Sequence, residues 1–201
     1  MNYQELLKKV SEHVVQFYLQ HPDDRLFYHN LTHTDQILES INKINSYYKL
    51  DERNSFIVAT AAWFHDAGII ESGLQSHEAK SVELAENYLK EIGVNEEDIS
   101  EIKKCILATQ MPQKPTSLNE RIICDADLFN LGTDTFLENN VLVRKEIEAL
   151  TNTKISLEEW RVKSIALLEN HTYHTEYCQS LLNEKKDFNL KNLKEKREEK
   201  K

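Results

Sequence analysis

The stretch FIVATAAWFHDAG, residues 56–68, decides the fold. From Phe56 to Phe64 it is apolar nearly all round, and a helix of that kind belongs inside a protein rather than on its surface. Asp51 stands where a helix cap is expected, and Gly68 and Gly73 bracket the exit. At the end of this apolar run lies a charged pair, His65-Asp66. An ionised carboxylate in such a place is costly unless it is partnered, and coordination of a metal is one of the few arrangements that makes it favourable.

Working outward, other segments show the same helical spacing. Leu6, Val10, Val14 and Phe17 share one face of a first helix that ends near His21-Pro22. Ile37, Ile41, Ile44 and Tyr48 mark a second. Beyond the apolar helix, Ser76 can start a fourth that carries Ala79, Val82, Ala85, Leu89 and Ile92 and stops at Gly93, a C-terminal glycine signal. Asn95 opens a fifth with Ile99, Ile102 and Ile106 inward, and Pro112 and Pro115 force a loop after it. Arg121 to Leu131 reads as a short buried helix closed by Gly132, and Thr133 can start the next. Ser156 with Glu159 has the form of a capping box. The expected fold class is all-α, a helical bundle over residues 1–183. From Glu184 the composition changes: residues 184–201 hold eight Lys or Arg against five Asp or Glu, leaving a net −12 on the rest. That run reads as a solvated or frayed helical tail whose first turns Phe188, Leu190 and Leu193 can dock.

The bulk composition agrees. Four glycines and three prolines in 201 residues disfavour a turn-rich β fold. The net charge of −9 argues against a nucleic-acid polymer as partner, although a bound metal can still reverse the local field for a phosphorylated small molecule. Neither a signal peptide nor a membrane span is apparent. Cys105, Cys124 and Cys178 form neither a disulfide framework nor a zinc pattern. A cytoplasmic location is expected, with a monomer or homodimer as the assembly.

The chemistry lies in the order of histidines and aspartates. His33 ends YHNLTH (28–33), His65-Asp66 follows, and Asp125 and Asp127 stand in CDADLFNLG (124–132). A lone His-Asp dipeptide is commonly a surface pair, and two histidines four apart are common too. The order H, HD, D on three helices, with the doublet inside the most apolar segment, is far more specific. One imidazole, a His-Asp pair and a distant aspartate make a mixed nitrogen and oxygen shell. Such a shell suits Mn, Fe, Co, Ni or Mg better than a structural zinc.

In these motifs the chain resembles the HD superfamily, from about Arg25 to at least Leu131. The likeness extends through VRKE (143–146) and the segment near His171 towards a branch of predicted metal-dependent phosphohydrolases. The resemblance implies an all-helical fold and metal ligands at His33, His65, Asp66 and Asp127, with Asp125 at a helix end or behind the ligands. YHNLTH also resembles the YHN-x-x-H stretch of cyclic-nucleotide phosphodiesterases, which implies that His29 is the general acid. That role suits an imidazole close to neutral pH, although a histidine bonded to a helix start accounts for it equally well.

Two neighbours carry two readings each. His77 is a substrate or second-metal contact, and Glu78 is a carboxylate that orients water beside Asp66; otherwise both are ordinary residues of a helix's first turn. Arg25, Arg144 and Lys145 are candidate phosphate contacts or surface salt-bridge formers. Tyr173, with His174, is a pocket wall or simple packing. No histidine occurs from Lys80 to Asn170, whereas two-metal relatives carry one or two there, so one divalent ion is expected. The implied activity is hydrolysis of a phosphate mono- or diester, a nucleotide or related small phosphorylated metabolite. The rivals are an HD-type iron oxygenase acting on an organophosphonate or polyol, which needs more histidine ligands, and a non-catalytic nucleotide-sensing module.

Overall fold

The structure, a computed structural model, describes residues 2–198, with side chains to residue 195. Among the described residues there are helices and no strands. In chain order they are α1 (Tyr3–Gln20), α2 (Leu31–Tyr48), α3 (Glu52–Phe64), α4 (Ile69–Ser72), α5 (His77–Glu91), α6 (Glu96–Ala108) and α7 (Leu118–Asp127). A 3-10 turn (Phe129–Gly132) leads to α8 (Phe136–Thr151), α9 (Leu157–Asn170) and α10 (Glu176–Glu198).

Helix α3 is the hub, packed by α1, α2, α6 and α7. Its residues Phe56 to Ala62 and Phe64 are all buried, as an all-round apolar helix requires. The caps read from sequence form where polar side chains meet free backbone N–H groups. Asp51 accepts from Asn54 N–H, Asn95 from Asp98 N–H, and Ser156 and Glu159 close a full capping box. A second, smaller core of Leu131, Phe136, Ile165, Leu168 and Leu193 lies beneath α8, α9 and α10.

Four expectations need correction. Ser76 precedes α5 but makes no capping bond; its backbone is left-handed (φ 56°). The helix expected over Arg121–Leu131 begins three residues earlier, after the cap Ser117, and ends at Asp127, where the chain tightens into the 3-10 turn. Gly132 then lies so close to α10 that a Cβ there would come within 2.6 Å of Leu182, and α8 starts after Thr135 rather than Thr133. Finally, α10 runs unbroken across residue 184. Lys186, Asn189 and Leu193 are buried, and the Asn189 amide donates to the carbonyls of Leu131 and Thr133. The charged stretch is helical, and Leu190 and Leu193 dock as expected, whereas Phe188 is exposed; residues 199–201 lie outside the described residues.

Candidate metal centre

Three helix ends converge on one point. Asn30 caps α2 by accepting from Thr32 N–H, which sets His33 in the first turn with its ring inward and buried. His65 closes α3, and its Nδ1–H donates to the Ala62 carbonyl (2.8 Å). That bond leaves Nε2 as the free lone pair of a ligand-ready imidazole. Asp127 is the last residue of α7.

The turn after His65 is held in place. The Ser81 hydroxyl donates to the His65 carbonyl (2.7 Å) and accepts from Gly68 N–H (2.9 Å). Only glycine fits at residue 68: a Cβ would come within 2.2 Å of the His77 carbonyl. This close approach carries the start of α5, with His77 and Glu78, up to Asp66.

Distances at the convergence are short. His33 Nε2 lies 3.4 Å from Asp127 Oδ1 and 3.8 Å from Asp66 Oδ2. His65 Nε2 lies 2.9 Å from Asp66 Oδ2 and 3.8 Å from Asp127 Oδ1. Atoms that share an ion at about 2.0–2.2 Å stand at about such separations. His33 Nε2, His65 Nε2 and Asp66 Oδ2 are buried and make no hydrogen bond. Buried polar atoms without partners are rare and need a cause; a cation among them supplies one. His33, His65 and Asp127 form a group able to hold a metal ion, and the nitrogen and oxygen donor set fits a divalent ion.

Burial and the clustered charges pull these groups in different directions. Burial opposes charge on His65, but the carboxylates of Asp66 and Asp127 carry its pKa up to about 9. Burial likewise disfavours ionised Asp66, yet the imidazoles of His65 and His29 hold its pKa well below the usual carboxylate range. In His33 burial prevails and the pKa is lowered, which favours the neutral ring a ligand requires.

Two further side chains face Asp66. His77 Nδ1–H donates to the Leu74 carbonyl (3.1 Å), which turns Nε2 to within 3.3 Å of Asp66 Oδ1. Glu78 is buried, with Oε1 3.7 Å from His77 Nε2. His29 enters from the loop before α2, and its Nδ1–H donates to Glu146 Oε1. The other oxygen of Glu146 accepts from the backbone N–H groups of Tyr28 (2.8 Å) and His29 (3.0 Å). Glu146 is fully buried on α8. Burial opposes charge on His29, but the nearby Asp66 and the Glu146 bond raise its pKa above the ordinary value.

These groups line one end of a cavity of about 340 Å3. The structure does not bring every candidate there. Arg25 is exposed and pairs with Asp23 (2.6 Å). Arg144 Nε lies 3.5 Å from Glu148. Lys145 lines a separate groove with Phe27 and Asn152. Tyr173 is fully buried, its hydroxyl donating to the carbonyls of Leu128 and Phe129. Asp125 faces away: it accepts from the N–H groups of His174 and Thr175 and from the Thr175 hydroxyl, and so ties the start of α10 to α7. Sequence reasoning did not single out Glu146. It stands in the quoted VRKE motif, but nothing in the local pattern distinguishes it from its neighbours; only its pairing with residues 117 and 118 positions away does. Trp160 and Lys163, which sequence reasoning did not single out, line the far wall of the cavity.

A protein-family model for the HD domain matches residues 30–131, which is 102 of the 201 residues. The chain belongs to the HD-domain family. HD domains bind divalent metals, and the matched segment contains His33, His65, Asp66 and Asp127. Among solved structures, Bacillus subtilis YpgQ in complex with ADP is similar, at 18% identity and a TM-score of 0.68 over 99% of this chain and 97% of that one. A predicted HD superfamily hydrolase from an uncultured Thermotogales bacterium is similar at 21% identity and a TM-score of 0.63, with both chains fully covered. No match was found among curated proteins. The fold is thus that of the HD superfamily hydrolases, and among the described residues no helix is long and apolar enough to cross a membrane.

Proposed function

We propose that this HD-domain protein is a metal-dependent phosphohydrolase acting on phosphate mono- or diesters, with a nucleotide or related small phosphorylated metabolite as substrate. One observation carries the reading: three buried ligand atoms that make no hydrogen bond meet at one point, and a carboxylate-backed histidine stands beside Asp66 on the cavity lining.

His33, His65, Asp66 and Asp127 would hold one divalent ion, of Mn, Fe, Co, Ni or Mg. When bound, the ion supplies Lewis-acid stabilisation of phosphoryl charge and acidifies a water molecule. The chain's own residues do the rest. Asp66 and Glu78 are the acceptors for the proton of the attacking water. His29, whose pKa Asp66 and Glu146 raise, donates to the leaving oxygen. Glu146 is a positioning residue, fixing the ring so that Nε2 is the donor. His77 offers its Nε2 to the phosphate beside Asp66. That ADP is bound to the B. subtilis relative supports a nucleotide ligand. Among the described lining residues there is no arginine, and Arg25, Arg144 and Lys145 stay outside the cavity, so at its metal end the ion and the histidines carry the charge neutralisation.

The test is metal analysis of protein purified without added metal, followed by a phosphoester and nucleotide panel with each candidate ion. Turnover should depend on the metal and vanish with a chelator. Metal catalysis contributes several kcal/mol and each 1.36 kcal/mol is tenfold, so Asp66→Ala should lose about a thousandfold. Wild-type rates from a His33→Ala/Asp127→Ala double variant would overturn the proposal.

A further inference from the structure

The cavity has two ends of different chemistry. Beyond the metal end, its far wall belongs to α8 and α9 and carries Phe136, Val143, Trp160 and Leu167. This wall is rigid. The Trp160 indole N–H donates to the Asn140 carbonyl (3.1 Å), which locks the ring against α8. The Ser164 hydroxyl donates to the Asn140 side-chain oxygen (2.9 Å), which turns the Asn140 amide nitrogen free of any protein partner among the described residues. Lys163, also on the lining and exposed, makes no salt bridge among the described residues, and its charge acts on Glu159 one turn away. Asn130 sits where the two ends meet. Its amide binds the Tyr28 hydroxyl through one atom, and its other polar atom is buried with no partner.

A substrate that was only phosphate and a short polar stem would leave this apolar wall wet. A long alkyl group would strand the free amide of Asn140 and the buried end of Asn130, at the cost that unpaired polar groups carry. A flat, nitrogen-rich ring meets both demands: it presents a face to Trp160 and an edge of donors and acceptors to the amides. The volume, about 340 Å3, lies within the range of about 300–1,000 Å3 usual for small-molecule sites.

Building on the phosphohydrolase reading above, we propose that the α8–α9 wall is a specificity subsite that seats a planar heterocyclic base, with Trp160 as its stacking face and Asn140 and Lys163 reading the base edge. The wall then discriminates a nucleotide from the same phosphate lacking its base.

Two measurements test this, on full-length protein loaded with metal. In a Trp63→Phe background Trp160 is the sole tryptophan, so its fluorescence reports on the wall alone. AMP should quench it saturably, and ribose 5-phosphate should not. Separately, the ratio of kcat/KM for AMP over ribose 5-phosphate should fall at least about tenfold in Trp160→Ala and in Val143→Trp, the size of effect that loss or blockage of an apolar pocket contact gives. Two variants are used because Trp160→Ala also removes the bond to Asn140. Equal quenching by both ligands, no quenching by either, or an unchanged ratio in Val143→Trp would overturn the subsite. Absence of turnover of any ester by the wild type would instead overturn the phosphohydrolase reading, and the fluorescence titration would still decide the subsite.

Discussion

On the α2–α3–α7 side of the cavity, polar atoms are buried and left unpartnered: His33 Nε2, His65 Nε2 and Asp66 Oδ2 make no hydrogen bond. On the opposite side, built by α8, the buried carboxylate Glu146 is satisfied, and so is Asp125 on the face of α7 turned away from the cavity. Glu146 is bonded through both oxygens to residues 28 and 29, and Asp125 through both to residues 174 and 175. Burial of charge is therefore not in itself the mark of a reactive site. What separates the two sides is whether the protein completes the hydrogen bonding. Where it does, the carboxylate is a fastener; where it does not, something from outside is needed.

Asp127 and Asp125, two residues apart on α7, give the sharpest test. Asp127→Asn should remove metal from the site and cost about a thousandfold in turnover by the same metal contribution, while the urea midpoint of the chelated protein changes little. Asp125→Asn should do the reverse. Its amide N–H group would face backbone N–H donors, costing about 2–3 kcal/mol of stability, while the folded fraction still binds metal. Equal metal loss in both variants would break the comparison.

Glu146 crosses from the satisfied side to the reactive one. Glu146→Gln should lower kcat by about a hundredfold, the lower range for general-acid catalysis. The sign of its pH effect follows from the raised pKa of His29. A general acid must be protonated, so activity falls as pH rises through that pKa. Removing the Glu146 charge lowers the pKa and should move the alkaline limb of the kcat profile to lower pH. A reduced kcat with an unmoved limb would make Glu146 a structural tie only.

The reactive side was the legible one. His65-Asp66 sits in a segment whose all-round apolarity is visible in a short window, and Asp51, Asn95, Ser156 and the inward isoleucines of α6 follow from local rules. The other side depends on contacts that no window contains. Asn189 reaches Leu131 across 58 positions, and Glu146 reaches Tyr28 across 118. For the same reason the charged run after Glu184 resembled a solvated tail. Its buried members Lys186, Asn189 and Leu193 are spaced three and four apart, but two of the three are polar, and only the carbonyls they meet explain their burial. Arg25 and Arg144 carry the right chemistry for phosphate, yet their nearest carboxylates, Asp23 and Glu148, lie two and four residues away along the chain and hold them outside the cavity.

His171 supplies the remaining test of the comparison, and the smallest in its effect on activity. It is buried between α9 and α10, and neither ring nitrogen makes a hydrogen bond. Unlike His33 and His65, it contacts no carboxylate among the described residues; Lys186 donates to its backbone carbonyl, and its ring meets Tyr173 edge to face at 4.6 Å. Burial, aided by the Lys186 charge, pushes its pKa down to about 4. A group with a depressed basic pKa binds its proton in the unfolded chain first. Its neutral form therefore costs nothing above about pH 6.5, and stability drains away as pH falls from there towards 4, by about 3 kcal/mol in all. His171→Phe keeps the edge-to-face contact and has no proton to take up. Urea unfolding at pH 7 and at pH 4 should show the variant gaining about 2–3 kcal/mol on the wild type between the two, with metal binding at pH 7 unaltered. If the two proteins lose stability in parallel, the unpartnered ring of His171 does not stay neutral in the fold, and lack of a partner alone does not separate a passive histidine from a ligand.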